Sequence, residues 1–406
     1  MGEIAVSLKL TVVLLVFSMM LVFAATLDQV NLGVWAVQEK YFQSFVVYTQ
    51  LGRLTVPLFP GGYTIGGLLL VNLIAAHVFR FAFAWRKVGI LLTHLGLIVL
   101  LVGELLTGLW QEDFHLRLTA GETKNYAESF REHELVLIDT SDASFDEIAA
   151  LPARTLARKI SLQHPKLPFR IVPKTYYPNS SLHVRRAESA PIAGADATLP
   201  TAGTGEHLLA APQPVTHRSD DRNMPSAVVE LVGTDGSLGT FLVSAHLPVA
   251  QVINYGGRVW RIALRVKRTY QPFSLTLVKF SHDRYAGTDI PKNFSSRLHL
   301  STADGRDDRD VLIYMNNPLR YSGLTFYQAG FENDDRTTIL QVVRNPSWLV
   351  PYIACGLMTL GLSVQFGIHL VAFLRRRRVP FPAPSPQPTP EGKPSSRPGS
   401  SQPQIA

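Results

Sequence analysis

Apolar residues are concentrated in four long runs along the chain, and between these runs polar and apolar residues are mixed. The runs cover about residues 10–27, 63–85, 88–110 and 348–374. Each is close to the roughly 17 to 25 residues that an α-helix needs to cross the hydrocarbon core of a bilayer. The pattern therefore predicts four transmembrane helices, with the lipid bilayer as their surroundings.

The first apolar run also has two features of a cleaved signal peptide. Lys9 precedes it, and the small residues Ala24 and Ala25 lie near its end. Further apolar runs follow closely, however, and the next loop carries aromatic residues of the kind found at membrane interfaces. We therefore predict an uncleaved helix rather than a removed signal.

Basic residues flank the apolar runs at two places. Arg86 and Lys87 alone separate the second and third runs, which predicts a tight helical hairpin, and four arginines from Arg375 to Arg378 follow the fourth run. Short segments rich in Lys and Arg remain in the cytoplasm. Four spans then put both termini in the cytoplasm and residues 111–347 outside it.

Residues 111–347 contain short runs of β-branched and aromatic residues, which favour strands. Asp-Gly pairs at 235–236 and 304–305 are hairpin-turn signals between such runs. The stretch from about Tyr177 to Pro225 is poor in apolar residues and predicts a long surface excursion. The predicted strands lie within Phe130–Thr140, Ala227–Val243, Ser274–Phe280 and Thr337–Val343.

The expected fold class is a membrane protein with four transmembrane α-helices and a large β-rich extracytoplasmic domain inserted between helices 3 and 4. A tail rich in Pro, Ser, Gly and Gln follows the fourth helix, and it has too little apolar surface to fold. The expected divisions are 1–110 for the N-terminal membrane part, 111–347 for the outer domain, 348–374 for the fourth helix and 375–406 for a disordered cytoplasmic tail.

Charge and composition remove several classes of function. The net charge is +8, but the densest basic cluster directly follows an apolar run, which indicates membrane anchoring rather than nucleic-acid binding. Cys355 is the single cysteine, so the chain has no internal disulfide and cannot run a two-thiol relay alone. The sequence contains no Gly-x-Ser-x-Gly, P-loop or helix-opening Gly-x-Gly-x-x-Gly motif.

Three histidines lie within the predicted spans: His77, His94 and His369. Ionisable side chains at membrane depth are costly and indicate a functional site. Counted from the basic residues at the ends of their helices, all three lie roughly 9 to 14 Å from the cytoplasmic side, at 1.5 Å per residue. Neutral imidazole is a good axial ligand for haem iron, and ligands from two facing helices suffice.

Hydrogen bonding between helices is the alternative role for each of these histidines. Gln365 lies one turn before His369 on the same helical face, which makes His369 the weakest candidate. The nine histidines of the outer segment show no metal-ligand spacing and are predicted to have surface roles. Glu104, near the outer end of the third span, is predicted to be structural because it can reach the interface.

A long motif near the end of the outer segment carries a resemblance to a known family. Its string Asn-x-Pro-Leu-Arg-Tyr-x-Gly-x-Thr-Phe-Tyr-Gln, residues 316–328, resembles the hallmark of ResB-like (CcsB) proteins. Residues 93–97, Thr-His-Leu-Gly-Leu, resemble the transmembrane histidine motif of the family. Residues 42–45 resemble its aromatic first loop, without the tryptophans common there. Other quoted segments are Pro272–Leu275, Phe280, Tyr285–Thr288 and Pro291–Ser296.

The closing motif itself predicts a β-turn followed by a strand. Asn317 and Pro318 favour a turn, Gly323 permits a positive φ, and Phe326 and Tyr327 supply packing surface. A role in stabilising the fold, without contact to haem, is therefore the favoured interpretation of these residues.

The resemblance implies a role in System II cytochrome c maturation at the bacterial inner membrane. ResB-like proteins act with a CcsA (ResC) partner in a complex that moves haem b outward and presents it to the Cys-x-x-Cys-His motif of apocytochrome c. His94 is then the expected axial ligand of haem iron on the cytoplasmic side, and His77 the alternative or second ligand. A histidine of the partner is another source of the second ligand. The chain is expected to be a subunit of the synthase that is not catalytic alone.

This chain departs from fused synthases of the family in having only five, widely spaced tryptophans. The partner is therefore expected to supply the Trp-rich haem-handling segment and the outer haem ligands, and a thioredoxin-like protein to supply the reductant. Two rival functions stay open: a scaffold that binds no haem and stabilises the partner, and a membrane sensor with a ligand-binding outer domain. The sensor ranks last because only the tail is available inside as an output module.

Overall fold

The structure, a computed structural model, describes residues 6–51, 54–80, 84–142, 144–185, 198–217, 222–285, 287, 291–332 and 336–377. Four predictions lie partly outside the described residues. They are the second span at residues 81–83, the surface excursion at 186–197 and 218–221, the family-like segment at 286 and 288, and the basic cluster and tail beyond 377.

In the described part of the chain, four helices are long and apolar enough to cross a membrane. Few of their residues are buried within the chain itself, as expected for helices whose apolar surfaces face lipid. The prediction of four long apolar helices together with a large β-rich domain is confirmed. The helices are α1 (Leu8–Leu32), α2 (Gly62–Ala75), α3 (Val88–Trp110) and α4 (Val350–Arg377). Helix α2 reaches membrane length only with the π-helical residues that follow it, as Gly62–Phe79.

Helix α2 departs from the predicted span of residues 63–85. Its α-helical hydrogen bonding ends at Ala75 and continues as a π-helical segment, Ala76–Arg80. Ala84 is extended, with φ of −142°, and a 3-10 turn at Trp85–Lys87 leads into α3. A π-helical turn bonds each residue to the fifth residue along, so side chains beyond Ala75 are rotated relative to a continuous α-helix. Because Ala84 is extended and Trp85–Lys87 form a 3-10 turn, the connection before α3 is longer than the predicted two-residue turn.

Strands form two regions, a short hairpin between α1 and α2 and a large domain between α3 and α4 in chain order. The hairpin was not predicted: its residues follow the aromatic segment 42–45, and no strand was expected between the first two apolar runs. Its strands are β1 (Val46–Leu51) and β2 (Leu54–Pro60). The domain contains β3 (Glu112–Thr119), β4 (Thr123–Asp139), β5 (Glu147–Pro152), β6 (Arg170–Tyr177), β7 (Ser180–Val184), β8 (Leu208–Pro212), β9 (Ser226–Gly233), β10 (Gly236–Ser244), β11 (Gln251–Tyr255), β12 (Arg258–Arg284), β13 (Pro291–Thr302), β14 (Asp308–Tyr314), β15 (Leu319–Tyr321), β16 (Leu324–Phe331) and β17 (Thr337–Arg344).

The main sheet of the domain has ten strands, and all its pairs are antiparallel. Its central path runs β14-β13-β12-β4-β3-β17-β16-β15, with β11 and β5 pairing to its sides. Strand β12 is 27 residues long and pairs with β4 in its first part and β13 in its second. Its register against β4 shifts between Tyr270 and Leu275, around Pro272, which cannot donate a ladder hydrogen bond.

The two parts of β12 face two separate hydrophobic cores. The first core lies between the main sheet and a three-stranded sheet of order β10-β9-β6, and Trp260 is its largest fully buried side chain. The second core contains side chains of β3, β12, β13, β16 and β17, among them Phe273 and Phe326. The predicted hairpins at Asp235-Gly236 and Asp304-Gly305 are both present. The predicted excursion contains a two-stranded sheet, β7-β8, in its described part.

Candidate functional site

His77 and His94 lie next to each other in the structure. His77 belongs to the π-helical segment after α2, and His94 lies in the second turn of α3. Their ring centroids are 6.4 Å apart and their planes are inclined by 48°. Both side chains are half-buried. Two of the three histidines predicted at membrane depth are therefore brought together.

The His94 imidazole has a defined tautomer. Its Nδ1 atom lies 2.8 Å from the carbonyl oxygen of Ile90, one turn earlier in the same helix. A carbonyl oxygen can only accept a hydrogen bond. Nδ1 of His94 therefore carries the proton and donates a hydrogen bond to the carbonyl oxygen of Ile90. In a neutral imidazole the other nitrogen, Nε2, then has a free lone pair, which is the form that binds a metal. Such a hydrogen bond at the far nitrogen also fixes the orientation of a ligating ring.

His77 lies in a segment of unusual helical geometry. π-helical turns are rare and occur frequently at functional sites, since they change the direction of side chains within an otherwise regular helix. Here the change begins at Ala76, one residue before His77. The local backbone thus contributes to the position of the imidazole that faces α3.

His369 is placed differently from the other two histidines. Its side chain is exposed, and its Nε2 atom accepts a hydrogen bond of 2.9 Å from Nε2 of Gln365. This is the local pair that the sequence indicated. That nitrogen is already hydrogen-bonded to a residue of the same helix. His369 therefore stays the weakest of the three candidate ligands.

Close packing of α3 on α4 holds the helix that carries His94. Gly89, Gly96 and Gly103 recur every seven residues on the face of α3 that meets α4. A β-carbon at Gly96 would lie 2.9 Å from the carbonyl oxygen of Ala354, and one at Gly89 would lie 2.5 Å from that of Gly361. Small residues permit this close approach of helices in membranes, where packing and polar contacts replace the hydrophobic effect.

Helix α2, which precedes His77, is held to α1 by a buried polar contact. Thr11 Oγ1 donates a hydrogen bond of 2.6 Å to Oδ1 of Asn72. The Asn72 amide nitrogen in turn donates to the carbonyl oxygen of Ser7 over 3.3 Å. Hydrogen bonds of this kind between membrane helices stabilise a defined pairing.

The donor type and spacing of the histidine pair suit a metal centre between two imidazoles. Two rings that bind one metal from opposite sides keep their centres roughly 6 to 6.5 Å apart, since each metal–nitrogen bond is about 2 Å. The observed separation of His77 and His94 is 6.4 Å. Among the described residues, no group of three or more His, Cys, Asp or Glu side chains is arranged to hold a free metal ion. The separation of the two rings is thus compatible with both imidazoles binding one metal.

The family-like motif folds as a hairpin with a packed end. Strands β15 and β16 pair through a two-residue turn, Ser322-Gly323, in which both φ angles are positive at 50° and 77°. Leu324 and Phe326 are buried in the second core. Gln328 Nε2 donates to Thr338 Oγ1 over 2.8 Å. These contacts are those of a fold-stabilising segment.

The same hairpin also lines a cavity of about 710 Å³ near the C-terminal end of α3 and the start of α4. The Arg320 guanidinium lies 4.4 Å from the ring centroid of Trp348, a cation–π contact. Glu104 and Tyr352 contribute to the same wall. Glu104, which the sequence indicated to be structural, thus faces a space bordered by the motif.

A second large cavity was missed by sequence reasoning. It has a volume of about 670 Å³ and lies where the chain leaving α1 meets β3 and β4. His133 and His217 line it, together with Trp35. The sequence places these residues far apart in segments without common spacing, so only the aromatic character of the first loop gave a signal.

Comparison with known proteins agrees with the motif. The family model for ResB-like proteins matches residues 82–339, which includes His94 and the closing motif but not His77. Protein NrfI of Wolinella succinogenes is 35% identical to this chain over 91 residues, which are 22% of this chain and 10% of NrfI. The chain therefore matches about a tenth of the length of that curated relative. Since the family match covers more than half of the chain, the chain belongs to the ResB-like family.

Proposed function

We propose that this chain is a haem-handling subunit of a System II cytochrome c synthase complex. Membership of the ResB-like family supports a role in cytochrome c biogenesis. The observation that carries the haem assignment is that His77 and His94 lie next to each other, with Nδ1 of His94 donating a hydrogen bond to the carbonyl oxygen of Ile90. In this proposal the two imidazoles bind the iron of haem b between α2 and α3.

The proposed direction of haem movement, outward from the cytoplasm, is supported by the charges at the helix ends. Arg86 and Lys87 precede α3, and Arg375 and Arg376 lie at the end of α4. By the rule for positively charged loops, these ends face the cytoplasm, where haem b is made. His94 follows Lys87 by seven residues, so the pair lies roughly 10 Å inside that face. Haem that enters from the cytoplasm meets this site first.

The side chains around the pair hold and orient the cargo rather than change it. Neutral imidazole binds iron and leaves the apolar porphyrin edge to the lipid-facing surfaces of α2 and α3. The outer domain then docks a CcsA/ResC-type membrane partner, the apocytochrome c, or both, on the opposite side of the membrane. Cys355 is the single cysteine of the chain. Reduction of the apocytochrome thiols is therefore assigned to a separate thioredoxin-like protein.

The test is haem retention by the purified complex of this chain with its CcsA-type partner. Absorbance in the Soret band and pyridine-haemochrome quantification are measured for the wild type, His77→Ala, His94→Ala and the double variant. His369→Ala is a matched control, because that histidine also lies in a membrane helix but is engaged by Gln365. We expect the His94 variant to lose most of the haem and the control to retain it.

A scaffold that binds no haem is the rival function. It predicts that both variants keep the full haem content of the complex and mature cytochrome c at the wild-type rate. That result would end the proposed role of the histidine pair while leaving the family membership intact. Loss of haem with retained partner binding, measured by co-purification, favours the haem-handling role.

A further inference from the structure

The cavity bordered by the family-like hairpin lies where two helices of membrane length end. The hydroxyl oxygens of Thr107 in α3 and Ser347, three residues before α4, are hydrogen-bonded over 3.1 Å. A β-carbon at Gly103 would lie 2.5 Å from Cγ1 of Val350. Residues 103–107 of α3 are therefore level with the start of α4. This is the level at which helices that cross a bilayer leave its hydrocarbon core.

Aromatic side chains are found at the same level. Trp348 and Tyr352 both line the cavity, and their rings meet edge to face with centroids 6.1 Å apart and planes inclined by 75°. Both side chains are exposed, as is that of Trp110, the last residue of α3. Tryptophan and tyrosine are enriched where membrane helices meet lipid headgroups, because their rings are apolar with one polar group. The helix side of the cavity thus has the composition of a headgroup region.

Two side chains of opposite charge line the cavity, and no other charged residue of the described chain does so. Arg320 comes from the hairpin, and its guanidinium lies over the Trp348 ring, 4.4 Å from the centroid. Glu104 comes from α3, and both charged side chains are exposed. Neither forms an ion pair or a hydrogen bond with a residue that the structure describes. A carboxylate and a guanidinium therefore border one space without pairing with each other.

The position of Glu104 makes an external partner favourable. It lies six residues before the end of α3, roughly 9 Å along the helix axis. A carboxylate within an apolar span is costly unless it reaches water or a cation. The planar guanidinium of Arg320 suits a phosphate, which it binds through two parallel hydrogen bonds. The ligand that satisfies both side chains therefore carries a phosphate and a cation close together.

We propose that this cavity binds the headgroup of phosphatidylethanolamine, with Arg320 on the phosphate and Glu104 accepting hydrogen bonds from the ammonium. The volume of about 710 Å³ lies within the range of about 300 to 1,000 Å³ that small-molecule sites occupy. Exposed apolar side chains, among them Leu97 and Leu360, continue along α3 and α4 towards the other end of each helix and suit the acyl chains. This inference goes beyond the proposed haem-handling function and does not depend on it.

The charges of the cavity select among lipids that share the phosphate. The ammonium of phosphatidylethanolamine donates hydrogen bonds to a carboxylate, whereas the methylated nitrogen of phosphatidylcholine has no proton to donate. Phosphatidylglycerol has no cation, so its net negative charge meets the carboxylate of Glu104 without compensation. We therefore expect the wild-type chain to bind phosphatidylethanolamine most tightly of the three, by about tenfold over phosphatidylcholine, the effect of one hydrogen bond to a charged group.

The experiment titrates the full chain, purified in detergent and freed of lipid, with these three lipids carrying identical acyl chains. Bound lipid is counted by native mass spectrometry. Glu104→Gln should reduce the preference for phosphatidylethanolamine over phosphatidylcholine to about one, since the amide cannot pair with the ammonium. Its control is Glu112→Gln, because Glu112 lies just beyond the same end of α3 but pairs with Arg344 over 3.4 Å. A change in the ratio of two affinities does not arise from unfolding.

Replacement of the guanidinium tests the phosphate contact. Arg320→Gln should weaken all three lipids by about tenfold, because they share the phosphate, and Arg320→Lys should recover part of this affinity. Arg344→Gln is the control and should bind lipid as the wild type does, since Arg344 pairs with Glu112. Glycerophosphoethanolamine, the same headgroup without acyl chains, should not displace the lipid at equal concentration. Displacement by this soluble compound would assign the cavity to a free phosphate ester and overturn the lipid site.

Three further results would overturn the proposal. They are equal affinity of the wild type for phosphatidylethanolamine and phosphatidylcholine, an unchanged preference in Glu104→Gln, and unchanged affinity in Arg320→Gln. A membrane protein partner is the other possible occupant of the cavity. Variants that keep their lipid but no longer co-purify with a CcsA-type partner would assign the cavity to that partner and overturn the lipid site.

Discussion

Arg222 donates a hydrogen bond to Nε2 of His115 over 2.8 Å, within the β-rich domain between α3 and α4. The acceptor role keeps Nε2 unprotonated, and the nearby positive charge opposes a second proton on the ring. Burial is the larger cause, and together with Arg222 it lowers the pKa of His115 to about 4. The side chain of His115 is only 5% exposed, so little solvent screens these effects.

The lowered pKa of His115 predicts a loss of stability in acid. The unfolded chain binds a proton at this residue near pH 6.5 and the folded chain only near pH 4. Stability is therefore complete above pH 6.5 and falls as the pH decreases through that window, by on the order of 1 to 3 kcal/mol. His115→Phe should flatten this part of the profile in urea unfolding monitored between pH 7.5 and 4. A profile identical to that of the wild type would contradict the assignment.

Packing between α3 and α4 predicts that alanine substitution of two glycines in α3 has very different effects on stability. A β-carbon at Gly96 would lie 2.6 Å from Cγ of Met358 and 2.9 Å from the Ala354 carbonyl oxygen, whereas one at Gly108 meets nothing within 4 Å. Gly96→Ala should therefore push the helices apart and lower the free energy of unfolding by about 1 to 3 kcal/mol. Thermal unfolding in detergent, with Gly108→Ala as the control, measures the difference. Equal melting temperatures for the two variants would contradict the packing described here.

The ion pair between Glu134 and Arg265 predicts a large cost when one partner is removed. Arg265 Nε lies 3.0 Å from Glu134 Oε1, and the two side chains are only 18% and 9% exposed. Arg265→Ala leaves a buried, uncompensated carboxylate and should cost about 3 to 5 kcal/mol in the free energy of unfolding. The exposed pair Arg306–Asp304 is the control, and Arg306→Ala should cost less than about 1 kcal/mol. Similar costs for both variants in chemical denaturation would rule out the distinction.

We predict that Gln328, the last residue of the family-like motif, stabilises the fold beside the second core through its hydrogen bonds. Its Oε1 atom accepts a hydrogen bond of 2.6 Å from Ser296, and its Nε2 atom donates to Thr338. Ser296 and Thr338 are fully buried. The two hydroxyl groups also hydrogen-bond each other over 2.8 Å. Gln328→Leu therefore removes one of the two partners of each hydroxyl group and should lower the free energy of unfolding by about 1 to 3 kcal/mol.

Tyr327→Phe serves as the control for this prediction, because Tyr327 is 39% exposed and its change should stay within about 0.5 kcal/mol. Unfolding in denaturant, with the haem content of the complex measured in parallel, separates a structural loss from a binding loss. A stable Gln328→Leu protein that no longer binds haem would assign this residue to function instead.

Local features of the amino-acid order determined the four long apolar helices and the hairpins. A run of apolar residues of membrane length has few alternatives, because each backbone polar group must be satisfied inside the segment. The Asp304-Gly305 turn is also set by a local feature. Gly305 takes a φ of 68°, which a glycine adopts without steric cost. The hairpin β1-β2 and the sheet β7-β8 were not foreseen, since their short strands lack a comparable local signal.

The sequence by itself thus determined the four long apolar helices and the β-rich character of the domain between the third and fourth helices. Only the tertiary structure decided that His77 and His94 face each other and that His133 lines a cavity near α1. These relationships depend on the π-helical turn at Ala76–Arg80, on glycine contacts between α3 and α4, and on pairing between distant strands. The π-helical turn is local, but the other two are interactions between residues far apart in the chain, and no residue pattern along the chain records which distant partner a side chain meets.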